Sequence, residues 1–159
     1  MRHPILTTLA ALLLALGLSG AANAGPFDDA LAAANRGDYA TAFRLWRPLA
    51  DQGNAGAQFN LGVMYNNGQG VPQNHAEAVK WYRTAAVQGY ALAQVNLGFM
   101  YNNGQGVPQN HVLAHMWYNL AGAQGVADAP KYRDRSASKM TPAQIAEAQR
   151  LAREWQPKR

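Results

Sequence analysis

The chain has 159 residues, of which 48% are hydrophobic and 14% are charged, so it can bury a core and does not have the composition of a disordered chain. It contains no cysteine, which excludes disulfides, thiolate metal sites and a cysteine nucleophile. The formal net charge is +5 at pH 7, a modest value from which we expect no nucleic-acid partner.

Residues 1–24 have the composition of a secretory signal peptide. A basic start at Arg2 precedes an apolar run over residues 5–18, and a small-residue cleavage pattern ends at Ala24. The run is shorter than the roughly 20 residues that a membrane-spanning helix needs. We therefore expect cleavage after Ala24 and a mature chain, residues 25–159, that is periplasmic or secreted. An uncleaved membrane anchor is the alternative.

The first predicted helix pair follows the leader. Gly37 is placed to end one helix, and Asp38 is placed to cap the next. The second helix of this pair is expected to bury Phe43, Trp46 and Leu49 at helical spacing. The loop between these two helices is shorter than the loops that come later in the chain.

An almost literal repeat dominates the middle of the sequence. The segment Met64–His75 reads MYNNGQGVPQNH, and the same twelve letters return at Met100–His111, 36 residues later. A fainter earlier copy is in phase with these two. A fixed period of this length indicates stacked units of secondary structure, because no single unit can bury its apolar side alone.

Each period is predicted to contain two helices. Gly68 provides a left-handed end for the first helix, and Pro72 prevents it from continuing. Asn74 is the expected N-cap of the second helix, and Glu77 is expected to complete a capping box. Asn110 is the equivalent cap in the next copy.

Small residues recur at equivalent positions, including Gly62 and Gly98. Helices approach closely where a side chain is missing, and we expect a Trp or Tyr ring to fill the neighbouring gap. No alternation typical of β-strands is present, so the sequence predicts an all-α fold.

The C-terminal segment forms a different unit, predicted as a capping helix. Thr141 and Gln144 form a capping-box pattern around Pro142, and Pro157 stops the helix. An apolar stripe on this helix consists of Ile145, Ala148, Ala152 and Trp155. Solenoids need such a terminal helix to cover their last exposed face.

The repeats resemble a known family. The likeness rests in the second copy on Ala57, Leu61, Gly62, Tyr65, Gly68, Gly70, Val71, Ala78, Trp81, Tyr82, Ala85, Ala86 and Gly89. In this pattern the chain resembles the Sel-one-like repeat, a relative of the tetratricopeptide repeat with a longer loop between its helices. The resemblance implies a right-handed α/α solenoid that binds other proteins on its concave face. We expect about three repeats over residues 25–133 and the basic cap and tail over residues 134–159.

A partner-binding surface is predicted on the first helix of each pair. Its candidate residues, which form a second face apart from Leu61 and Tyr65, are Phe59, Val63, Asn66, Val95, Phe99 and Asn102. By analogy with tetratricopeptide repeats, this face lines the concave surface and would contact an apolar segment of a protein partner. The alternative is that this face packs inside the array.

Positive charge is concentrated at the C-terminal end, where residues 131–159 carry eight Lys or Arg against three acids. A candidate basic patch for an anionic membrane surface or an acidic protein consists of Lys131, Arg133, Arg135, Lys139, Arg150 and Arg153. The alternative is an ordinary solvated helix face.

Catalytic and metal-binding patterns are missing from the sequence. The glycine loops lack the Lys-Ser or Lys-Thr ending of a phosphate-binding loop. His111 and His115 lie four apart, but no third metal ligand accompanies them. We therefore expect a non-enzymatic, exported scaffold without a metal or cofactor.

Two other functions stay open. The secreted branch of the family implies a cell-wall enzyme or a protein that binds β-lactam or peptidoglycan, although many of its members carry a Cys pair in each repeat that this chain lacks. Binding to an anionic membrane surface through the basic C-terminal helix is the other alternative.

Overall fold

The computed structural model describes residues 25–158, which form eight α-helices and no β-strand. The predicted signal peptide, residues 1–24, lies outside the described residues. The helices are α1 (Pro26–Asn35), α2 (Tyr39–Asp51), α3 (Ala55–Asn67), α4 (His75–Val87), α5 (Ala91–Asn103), α6 (His111–Ala123), α7 (Ala129–Ala137) and α8 (Pro142–Glu154).

The helices form a linear stack of pairs. From α1 to α6 each helix packs on the next one along the chain, so α1–α2, α3–α4 and α5–α6 are successive pairs. Both α7 and α8 then pack against α6. The predicted all-α solenoid of helix pairs is confirmed.

The core lies between the pairs and within them. One apolar cluster includes Trp46, Leu61 and Met64, and the other includes Leu97 and Trp117. All five side chains are at most 6% exposed. Each cluster takes residues from several helices, as expected where one unit cannot bury its own apolar side.

Side-chain caps fix where the second helices begin. Asp38, Asn74 and Asn110 each accept a hydrogen bond from the backbone N–H three residues further on. Thr141 and Gln144 form the complete capping box that the sequence predicts for α8. These caps satisfy N–H groups that have no partner within the helix.

The capping box predicted at Asn74 is wrong in its second half. The Asn74 side chain accepts from the Glu77 N–H at 3.1 Å, as predicted. The backbone N–H of Asn74, however, donates to the Tyr65 carbonyl oxygen at 2.8 Å. Because that donor is already satisfied, the Glu77 carboxylate pairs with Lys80 instead.

The loops within the pairs connect neighbouring repeats. Gly68 ends α3 in the left-handed conformation, with φ of 68°. The second glycine of each loop contacts the backbone that begins the second helix of the preceding pair: Gly70 meets Tyr39, and Gly106 meets His75. The repeated loop sequence therefore has a packing role between units.

Two glycines allow the helices of a pair to approach closely. A methyl group on Gly62 would lie 2.5 Å from the Tyr82 ring, and one on Gly98 would lie 2.8 Å from the Tyr118 ring. Tyr82 and Tyr118 are themselves buried. The predicted packing of an aromatic ring against a missing side chain is confirmed.

The polar stretch around Ser136 is helical, which the sequence pattern does not indicate. It forms α7, in which only Ala129 and Ser136 are buried. The Ser136 hydroxyl donates to the His111 carbonyl oxygen at 3.3 Å. The boundary placed at residue 133 therefore falls inside a helix.

The last helix covers the end of the stack, as predicted. Trp155 packs nearly perpendicular to Trp117 on α6, with ring centroids 6.2 Å apart. Ala152 of α8 belongs to the same apolar cluster as Trp117, and Ala148 is also buried. Beyond the helix, the Lys158 backbone N–H donates to the Val87 carbonyl oxygen at 2.7 Å, which ties the tail to the end of α4.

Candidate partner-binding surface

Large apolar side chains are exposed on the first helices of the pairs. Among the described residues, the large hydrophobic side chains classed as exposed are Leu31 on α1, Leu92 and Phe99 on α5, and Tyr132 on α7. Phe99 and Leu92 are the most accessible, at 51% and 49%. We use the name first-helix surface for one side of α1, α3, α5 and α7, the first helices of the pairs together with the helix that follows the last pair. This side carries Leu31, Val63, Leu92, Phe99 and Tyr132.

The 36-residue period relates the positions along this surface. Val63 on α3 and Phe99 on α5 are equivalent positions of the two full repeats, and Arg135 on α7 lies another 36 residues along the chain, where the sequence repeat has faded. Leu31 shares a cavity with Val63, so it extends the same row onto α1. The row is apolar in three helices and cationic in the fourth.

One cavity lies between α1 and α3. It measures about 240 Å³, and its lining includes Leu31, Asn60, Val63 and Trp46. Trp46 is 3% exposed, and its indole Nε1 has no hydrogen-bond partner among the described residues. A buried donor without a partner is costly.

A second cavity lies between α5 and α7. It measures about 260 Å³ and is lined by Phe99, Asn102, Asn103, Tyr118, Tyr132, Arg135 and Lys139. Two residues predicted for the concave surface and two predicted for the basic patch therefore meet at one place. The sequence pattern gave these two groups separately, because neither the helix at Arg135 nor its position beside Phe99 is visible in the sequence.

The six residues predicted for partner binding differ in their surroundings. The Phe59 ring is half-buried, with centroids 5.3 Å from Tyr90 and 6.0 Å from Tyr82. Val63 and Val95 are also half-buried and pack against the core. Phe99 is open to solvent, so within α5 this face is half-buried at Val95 and accessible at Leu92 and Phe99.

The two predicted asparagines are engaged within the chain. The Oδ1 atom of Asn66 is 3.0 Å from the Nδ1 atom of His75, and the same atoms of Asn102 and His111 are 3.2 Å apart. Asn102 also donates one amide N–H to the Asn103 side chain. One N–H of this amide is left for a partner, and its oxygen has an intrachain role.

The six predicted basic residues are divided between two helices and the turn that connects them. Arg150 on α8 forms ion pairs with Glu147 and Glu154, at 2.7 and 2.5 Å. Arg133 on α7 pairs with Asp134 at 2.7 Å. The other members of the set, which form no salt bridge within residues 25–158, are Lys131, Arg135, Lys139 and Arg153. The free positive charge therefore lies mainly on and just after α7.

His115 is a buried titratable residue. It is 3% exposed, and its Nδ1 atom has no partner among the described residues. Burial, and secondarily the nearby Arg133, lowers the pKa of His115 below its usual value.

Within residues 25–158 no three His, Cys, Asp or Glu side chains come together where they could hold a metal ion. No helix of that range has the length and apolar composition to cross a membrane.

Known proteins resemble this chain in its repeats. A family model described as the Sel1 repeat matches residues 33–54, 55–90 and 91–126. The search of curated proteins gave no match.

Two solved structures are similar in sequence and in fold. The protein c5321 from uropathogenic Escherichia coli strains, described as a protective antigen with an SLR fold, is 33% identical with a TM-score of 0.73; the alignment covers 80% of this chain and 30% of that one. A Sel1 repeat protein from Oxalobacter formigenes is 34% identical with a TM-score of 0.58, over 67% of this chain and 96% of that one. The chain thus spans less than a third of the E. coli protein.

Proposed function

Because the chain belongs to the Sel1 repeat family, whose repeats generally mediate protein–protein interaction, we propose that it is a non-enzymatic scaffold that captures a segment of another protein on the first-helix surface. The observation that carries this proposal is the exposure of Leu31, Leu92, Phe99 and Tyr132 on α1, α5 and α7. Exposed apolar side chains grouped on one set of elements are typical of interaction sites.

The binding mechanism is burial of these side chains against apolar groups of the partner. Complete burial of a Phe or Leu side chain contributes roughly 1.5–3 kcal/mol. Phe99 and Leu92 are already about half buried in the free protein. Covering the exposed half of each side chain therefore contributes about 1 kcal/mol to binding. Four such contacts contribute about 4 kcal/mol, which only matches the lower end of the cost of association, roughly 4–15 kcal/mol. Net capture therefore needs further contacts with the partner, and we expect it to be reversible.

The proposed place of action is outside the cytoplasm, in a bacterial periplasm or in the secreted medium. This part rests on the composition of residues 1–24, with their basic start, apolar run and small residues before position 25. N-terminal sequencing of the protein recovered from the envelope fraction tests it. A first residue of Gly25 supports export with cleavage. An intact leader contradicts cleavage, and absence of the protein from the envelope fraction contradicts export.

The capture proposal predicts that Phe99→Asp abolishes recovery of a partner in a pull-down from the envelope fraction. A carboxylate at this position opposes burial of the apolar contact. Phe99 is half exposed and lies on the outside of α5, so we expect the far-UV circular dichroism spectrum of the variant to be unchanged.

The matched control is Thr84→Asp, which adds the same charge to an exposed position on α4, a second helix. This variant should capture the partner as the parent does. Equal recovery with Phe99→Asp and with the parent would refute the proposed surface. A loss of helical signal in Phe99→Asp would instead indicate that the face is packed.

A further inference from the structure

The cavity between α5 and α7 combines an apolar wall with positive charge that has no partner. Phe99 and Tyr132 supply exposed aromatic surface. Arg135 and Lys139 also line the cavity, and neither forms a salt bridge within residues 25–158. No acidic side chain contributes to the lining. The cavity therefore presents two cations without a compensating anion of the described chain.

The position of Arg135 in the repeat gives the cavity its polarity. Arg135 stands where the preceding first helices carry Phe99 and Val63. An occupant that follows the first-helix surface from α3 towards α7 meets apolar side chains first and cations last. An occupant that complements this surface therefore carries an apolar group followed by an anion.

Neutral hydrogen-bond donors accompany the cations. Burial raises the pKa of the Tyr118 hydroxyl well above its usual value, so this hydroxyl keeps its proton at neutral pH. Asn103 and Asn102 supply amide groups to the same lining. Hydrogen bonds to a charged acceptor are stronger than neutral ones, which favours an acceptor such as a carboxylate.

We propose that this cavity binds an acidic side chain, Asp or Glu, of a protein segment whose neighbouring apolar side chain packs on Phe99. The proposal rests on the proposed function and specifies the chemistry of the partner. Arg135 and Lys139 would pair with the carboxylate, while Phe99 and Tyr132 would cover the apolar neighbour.

A protein segment fits this site better than a membrane surface does. Attraction to anionic lipid is typical of clusters of four to eight basic residues on one exposed stretch. Residues 131–139 carry four basic side chains, but Arg133 is paired with Asp134. The cations that line the cavity are Arg135 and Lys139, and aromatic walls flank them. Arg150, which belongs to the same predicted basic set, is already paired with Glu147 and Glu154.

The test uses two synthetic peptides in a titration of the ¹⁵N–¹H amide spectrum of the protein. The acidic probe is acetyl-Leu-Phe-Glu-Glu-amide, and the neutral probe is acetyl-Leu-Phe-Gln-Gln-amide. At low salt we expect the acidic probe to bind about fivefold more tightly, since two exposed ion pairs contribute modestly. Its shifts should centre on Phe99, Arg135 and Lys139. Raising the salt from about 20 mM to about 0.5 M should remove the difference between the probes.

Two double variants with the same change in charge locate the effect. Arg135→Gln with Lys139→Gln should bring the acidic probe down to the affinity of the neutral one. Arg153→Gln with Lys158→Gln, both exposed and outside the cavity lining, should keep the difference. All four positions are exposed, so the thermal melting of both variants should match that of the parent.

Several results would overturn the proposal. These are equal affinity for both probes, an equal loss in the two double variants, no shift with either probe at millimolar concentration, or equal binding of the neutral peptide with a free C-terminal carboxylate. Vesicles containing phosphatidylglycerol that bind through Arg135 and Lys139, while the acidic probe does not, would also overturn it. None of these results would exclude partner capture that depends on Phe99. The pull-down with Phe99→Asp therefore tests the proposed function independently of the peptide titration.

Discussion

At the scale of single residues, the helices of a pair approach most closely where a glycine faces a buried ring: Gly62 meets Tyr82, and Gly98 meets Tyr118. The pairing of Gly98 with a ring could be predicted because a missing side chain and an aromatic residue recur in both full repeats. The bond between Asn102 and His111 could not, because the sequence shows only that both polar residues recur. Which polar groups meet depends on the path of the loop that separates them.

Two glycine substitutions in the same repeat should have opposite effects on stability. Gly98→Ala places a methyl group 2.8 Å from the buried Tyr118 ring, so we expect a loss of about 1–3 kcal/mol in the free energy of unfolding. Gly122→Ala meets Pro130 at 3.5 Å, an ordinary contact. Its better helix propensity should raise stability by up to about 1 kcal/mol. Urea denaturation of both variants measures these changes, and a shift of the same sign in both would contradict this account of the packing.

At the scale of helices and loops, caps and turns could be predicted, while α7 could not. Asp38, Asn74 and Asn110 are recognisable because a short polar side chain before a helix satisfies backbone N–H groups locally. In contrast, α7 has only Ala129 and Ser136 buried, so no apolar stripe marks it. This short helix is favoured by its packing on α6, and tertiary support of that kind leaves no periodic signal.

The loop glycine that contacts the preceding pair should be more sensitive to substitution than a free glycine of similar conformation. Gly106, with φ of 66°, faces the His75 backbone, and a methyl group there would overlap it. Gly125, with φ of 89°, has nothing within 4 Å of the added atom. We expect Gly125→Ala to cost about 1 kcal/mol from backbone strain alone, and Gly106→Ala to cost at least about 2 kcal/mol more. Thermal denaturation followed by circular dichroism compares them, and equal losses would show that the loop contact is unimportant.

At the scale of the whole molecule, the period predicted stacked helix pairs and the family resemblance implied a solenoid, whereas the cavities required coordinates. A repeat of 36 residues with two helices can bury its apolar side only against its neighbours. The cavity between α5 and α7 depends on how far apart two helices lie, and on where Arg135 points relative to Phe99. Neither quantity follows from spacing along the chain.

Removal of the last helix should weaken the entire stack. A chain ending at Met140 loses the contact of Trp155 with Trp117 and leaves the α6 face uncovered. We expect a loss of about 2–3 kcal/mol in stability from the apolar area exposed, together with concentration-dependent association in sedimentation velocity. A chain ending at Gln156 is the control.

Among the described residues, the hydrogen bond that the control chain loses runs from the Lys158 N–H to the Val87 carbonyl oxygen, and such a bond contributes about 1 kcal/mol. It should remain monomeric to the same degree as the parent. If the chain ending at Met140 were as stable as this control, α8 would have no capping role.

The contact between Gly106 and the start of α4 has a consequence for how such a chain lengthens. Each repeat carries a loop that packs on the preceding repeat, and the start of its own second helix receives the loop of the next repeat. The equivalent contact of Gly70 with Tyr39 shows the same arrangement one repeat earlier. A duplicated copy of residues 55–90 therefore contains both contact surfaces, the loop and the start of the second helix. It can pack between two existing repeats without new substitutions. Insertion of such copies ahead of α7 would extend the apolar row while its cationic terminus stayed in place, so reach and charge preference could evolve independently.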